Sequence, residues 1–111
     1  MLVLHPEEQI WLDEYRKALV DRHPHAVEKM LLYGSKARGD AHEDSDIDVL
    51  LIVKDEAVDL KRALRRIGYG LAATSYAVPS ILAYTEGEWK QRKRTQSSFF
   101  ESVEREAISV L

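Results

Sequence analysis

Apolar and polar residues change period several times along the chain, and each change marks an element. Ile10, Trp11, Tyr15, Ala18 and Leu19 recur at helical spacing and stop near Arg22. Pro6 followed by Glu7 and Glu8 predicts the start of that helix, because proline fits a first turn and acids there oppose the dipole. HPHA at 23–26 breaks it. VEKMLLYG at 27–34 reads as a first strand ending at Gly34, and SKARGD at 35–40 has room for only a turn of helix. DIDVLLIV at 46–53 is apolar on both faces beyond its acids, the pattern of a buried central strand. Helical spacing returns with Val58, Leu60, Leu64, Ile67 and Leu71 inward and Lys61, Arg62, Arg65 and Arg66 outward. YAVPSILAYT at 76–85 predicts a third strand, with Pro79 marking an edge or a strand start. EGEWKQRKR at 86–94 reads as a short helix or loop, and SSFFESVEREAISVL at 97–111 as a closing amphipathic helix. The order αβαβαβαα predicts an α/β (α+β) domain with a small sheet.

Composition narrows the class. A chain of 111 residues and 12.7 kDa suits one domain, and no repeat or linker divides residues 1–111. The absence of cysteine excludes disulfide scaffolds and thiolate zinc sites and fits a reducing compartment. No histidine spacing suggests zinc either. A net charge of −3 gives no general attraction to nucleic acid or to an anionic membrane, although KQRKR at 90–94 is a local basic run. No stretch reads as a membrane span, and MLVLHPEEQ lacks the pattern of a signal peptide, so a cytoplasmic protein is expected. An oligomer is compatible with this composition.

The chemistry gathers in YGSKARGDAHEDSDIDVLLIV at 33–53. A strand ending in Gly34-Ser35 and turning into a helix offers backbone N–H groups and a hydroxyl, the usual means of holding phosphate oxygens. Lys36 and Arg38 follow, where they could neutralise phosphate charge. Asp46 and Asp48 stand two apart on a strand and so face the same side. Carboxylates about 6 Å apart repel by roughly 3 kcal/mol at an effective dielectric near 20, which calls for a cation between them. Magnesium takes one or two carboxylates plus substrate phosphates. These parts describe a metal–triphosphate site. Asp40, His42, Glu43 and Asp44 read as solvated turn residues.

Gly34-Ser35, ten residues, then Asp46-x-Asp48 resembles the signature of the DNA polymerase beta-like nucleotidyltransferase superfamily, and the short chain is similar to its minimal nucleotidyltransferase branch. RGDAHEDSDIDVLL and the closing SSFFESVEREAISVL extend the likeness. The resemblance implies a nucleotidyltransferase fold, a small mixed sheet flanked by four to five helices. It implies a nucleoside triphosphate, ATP first, held by Gly34 and Ser35. Mg²⁺, or Mn²⁺, would sit on Asp46 and Asp48, the two catalytic acids. Lys36 and Arg38 are further nucleotide-binding candidates, at positions that vary in the family. A nucleoside monophosphate would pass to an acceptor hydroxyl. The family's third carboxylate falls on Ser80 here, and no Asp or Glu lies between Asp59 and Glu86. A serine is a poor magnesium ligand and no base at neutral pH. The branch also implies a separately encoded helical HEPN-type protein as partner, with this chain the antitoxin of a toxin–antitoxin pair. The alternative is a module that keeps the fold and binds nucleotide or HEPN partner without turnover.

Overall fold

The structure, a computed structural model, describes residues 2–40 and 46–111. His42, Glu43 and Asp44, read above as turn residues, lie outside that set. Helix α1 covers Pro6–Arg22. Its buried stripe is Glu8, Trp11, Leu12, Tyr15 and Leu19 rather than one that includes Ile10, which is 57% exposed. Trp11, Tyr15 and Leu19 recur four apart and fix the inward direction, which leaves Ile10 a turn-edge away from it. The break at 23–26 is a turn with His25 in the left-handed region (φ 68°).

Strand β1 (Val27–Tyr33) leads directly into a single helical turn, α2 (Gly34–Arg38), and β2 (Ile47–Val53) follows. A 3₁₀ turn at Asp55–Leu60 precedes α3 (Lys61–Ala72), so Val58 stays exposed. Strand β3 (Pro79–Thr85) and helices α4 (Glu86–Arg94) and α5 (Ser98–Glu106) complete the expected series. The closing segment departs from expectation. The helix stops at Glu106, Ala107 is extended, and Ile108–Ser109 form a short strand, β4. This strand pairs with the open side of β1, and Val110 N donates to Met30 O. β-branched residues beside an unpaired strand edge gain ladder bonds that a further helical turn would not provide.

The sheet order is β3-β2-β1-β4, with β2 parallel to β3 and both other pairs antiparallel. The expected α+β fold is present, with five helices and a small mixed sheet among the described residues. Residues of β2 alternate between two cores. Ile47, Val49, Leu51 and Val53 pack under α1 and α3, while Leu50 and Ile52 pack with Val103 of α5. Tyr15 Oη donates to Leu64 O at 2.8 Å and Trp11 Nε1 to Gly68 O at 2.9 Å, which joins α1 to α3. Gly68 lets them meet: a Cβ there would stand 2.6 Å from Tyr15 Cζ. Pro79 both starts β3 and lies on the sheet edge. Among the described residues no helix is long and apolar enough to cross a membrane.

Candidate active site

Sheet register sets the first part of the site. Tyr33 of β1 and Ser80 of β3 are the direct partners of Asp48 in β2, so the three form one row on the α4–α5 face. Asp46 is exposed and stands just before β2. Ile47 N donates to Val78 O at 2.9 Å, which ties this end of β2 to the approach of β3. Ser80 therefore stands beside Asp48, where the sequence places the missing third acid. Among the described residues no group of three or more His, Asp or Glu side chains gathers to hold a metal.

The turn after β1 closes on the same carboxylate. Gly34 has φ +76°, a conformation that L side chains rarely adopt. A Cβ built there would run into Asp48 Oδ2 and lie 3.2 Å from its Cγ. Only glycine permits both the left-handed turn and this approach of backbone to carboxylate. Ser35 O accepts from Gly39 N and Asp40 N, closing α2 on the left-handed Gly39.

Charge and burial act together on the Asp48 carboxyl. Loss of water around Asp48, and then the nearby charge of Asp46, push its carboxyl above the usual range, while Arg38 pulls it back down. Burial, with Asp48 next, pushes the Tyr33 phenol up to about 12, so it stays a neutral hydroxyl. Arg38 donates to Asp40 Oδ2 at 3.2 Å and to Glu106 Oε2 at 3.0 Å, linking α2 to the end of α5. Lys36 does not point to this end. It is buried with its ammonium on Glu8 Oε1 at 3.1 Å, because Glu8 occupies the inward stripe of α1. Lys36, a nucleotide-binding candidate by sequence, is thus engaged in an internal ion pair. The structure brings Gly34, Asp48, Ser80 and Tyr33 together, with Asp46 and Arg38 electrostatically coupled to Asp48.

Tyr33 and Phe99 were not legible as site neighbours. Phe99 of α5 meets Tyr33 edge-on, ring centroids 5.4 Å apart, and walls the row on the sheet face. Tyr33 immediately precedes Gly34, yet only the antiparallel register with β2 sets it opposite Asp48. Asp46 and Asp48 would offer only oxygen donors, the chemistry that fits a hard divalent cation better than zinc.

The Gly34 turn thus brings backbone against the Asp48 carboxylate at the end of a mixed sheet. The model of the nucleotidyltransferase domain family matches residues 12–103. The chain is also 32% identical over 99 residues to "Putative protein adenylyltransferase MJ0604" of Methanocaldococcus jannaschii, covering 86% of this chain and 90% of that one. It is 30% identical over 99 residues to "Putative protein adenylyltransferase MJ0141" of the same organism, covering 89% and 94%. The chain belongs to the nucleotidyltransferase domain family and is a transferase enzyme. That family implies a nucleoside triphosphate substrate and a divalent metal.

Proposed function

We propose that the chain transfers AMP from ATP to a hydroxyl on a separate, mostly helical protein of the HEPN type, acting in the cytoplasm as the antitoxin of that pair. The observation that carries the reading is the closure of the left-handed Gly34 turn on Asp48, next to Asp46. The likeness to two relatives named as protein adenylyltransferases favours ATP and a protein acceptor.

In this reading Gly34 N–H and Ser35 would hold phosphate oxygens, and Asp46 and Asp48 would hold Mg²⁺, or Mn²⁺ in its place. The ion, when bound, neutralises the phosphates and the charge that develops at the α-phosphorus. Arg38, held by Glu106 and Asp40, lies near enough to favour the charged form of Asp48. The acceptor oxygen bonds to the α-phosphorus as the α–β bridging P–O bond breaks, and pyrophosphate leaves with the electron pair. With Ser80 where a third acid would stand and Asp48 assigned to the ion, the acceptor's proton passes to solvent water, and the reading expects slow turnover. Phe99 and Phe100 pack on Trp89 at 6.0 and 5.0 Å, which leaves the exposed basic residues of α3 and α4 as the surface for a partner. Arg62, Arg66, Lys93 and Arg94 are all exposed there.

The test is intact mass spectrometry of the co-purified helical partner after incubation with ATP and Mg²⁺. Wild type adds one or more AMP masses to the partner, and Ser35→Ala or Asp48→Asn adds none. A stable complex that gains no mass with any nucleotide or metal refutes the transfer, and extension of RNA ends without a partner refutes the acceptor.

A further inference from the structure

A one-turn helix has no stability of its own and stands where its tertiary ties hold it. Helix α2, which carries Gly34 and Ser35, has ties of unequal kind. The bond from Arg38 to Glu106 is partly exposed, and exposed pairs hold weakly. On the opposite side, Lys36 Nζ meets Glu8 Oε1 at 3.1 Å, with both side chains more than nine-tenths buried. The same Glu8 oxygen accepts from His5 N at 2.9 Å. Val3 N donates to Lys36 O at 3.0 Å, so Lys36 is gripped through side chain and backbone at once.

A buried ion pair is no better for stability than well-packed apolar side chains of the same size. Its position one residue beyond Ser35 points to alignment instead. We propose that Glu8 and Lys36 form a clamp that sets the Gly34-Ser35 turn against Asp48, making both positioning residues for triphosphate binding rather than phosphate contacts. Moving Lys36 to a phosphate would leave the Glu8 carboxylate buried without a counter-charge, a strongly unfavourable state. The clamp also explains why an acid occupies the apolar stripe of α1. The inference rests on reading this turn as the triphosphate site.

Two measurements separate the clamp from that reading. Mg-ATP is titrated calorimetrically into wild type, Glu8→Gln, Lys36→Met and the double variant, and each ligand-free protein is melted. Amide hydrogen exchange at residues 34–38 is followed without ligand. The clamp predicts that each single change weakens Mg-ATP by about tenfold, as supporting residues do for the groups they orient. The double variant should lose no more than either single, and exchange at 34–38 should quicken in all three. The double variant buries no lone charge, so it keeps the test readable where a single change impairs folding. Weaker binding in Lys36→Met alone overturns the clamp in favour of a direct phosphate contact. A lower melting temperature with unchanged affinity and unchanged exchange at 34–38 overturns it in favour of a purely structural pair. If wild type itself fails to bind Mg-ATP, the reading of the site falls, while exchange at 34–38 still decides whether the pair holds the turn.

Discussion

Gly34→Ala isolates the contact on which the site depends. Two costs add. The left-handed backbone at φ +76° is strained for alanine, by about 1–3 kcal/mol. The new methyl would run into Asp48 Oδ2, and turning that carboxylate off its rotamer adds about 0.5–1.5 kcal/mol. The sum is about 1.5–4.5 kcal/mol, or a fall in melting temperature of about 6–18 °C at roughly 4 °C per kcal/mol for a domain of this size. Chemical denaturation measures the loss, and a melting scan with and without Mg-ATP measures the site. Because Asp48 is displaced, the Mg-ATP stabilisation should vanish as well. A double-mutant cycle separates the two costs: in an Asp48→Ala background the clash is gone, and Gly34→Ala should cost about 1 kcal/mol less. Gly70→Ala is the control, since a Cβ there meets nothing within 4 Å and alanine favours a helix by about 0.5–1 kcal/mol. Stability within about 0.5 kcal/mol of wild type for Gly34→Ala, with no coupling to Asp48, would refute the reasoning.

Three further outcomes are expected. Asp46→Asn/Asp48→Asn should melt no lower than wild type without metal, because it removes a desolvated carboxylate and its neighbour's repulsion, and Mg²⁺ should add nothing to its shift with ATP; an undiminished metal effect places the cation elsewhere. Ser80→Asp puts an acid beside Asp48 in the row and should tighten Mn²⁺ binding by about tenfold, worth about 1.4 kcal/mol, as read by titration of the metal; folding without tighter binding would show that the side chain does not reach the ion. Glu88 is held below the usual carboxylate range by Lys61 first and then by Thr85 N–H, so its contribution is present above the unfolded pKa and is lost as pH falls through the folded one. Glu88→Gln should lower the melting temperature at pH near 7 and cost less near pH 3, modestly because the side chain is about half exposed; an equal cost at both values disproves the link.

Local pattern alone determined most of the elements and the chemical kernel. The spacing of Trp11, Tyr15 and Leu19, the unbroken apolar run 49–53, and the Gly34-Ser35 and Asp46-x-Asp48 pairs depend on neighbours within a few residues, where period and residue type carry the information. Pro79 at a strand start was legible for the same reason, since its missing N–H restricts it wherever the chain goes. What required the tertiary structure were partners distant along the chain. Ile108–Ser109 became a strand only because β1 had an open edge to fill. Lys36 turned inward to Glu8, 28 residues earlier, which lies on the buried stripe of α1. Tyr33 and Ser80 came to flank Asp48 through register, and one residue of slip would have turned that row to the opposite face. Element type follows from short-range sterics and periodicity, whereas the company each polar side chain keeps is decided by how the two cores close around the sheet.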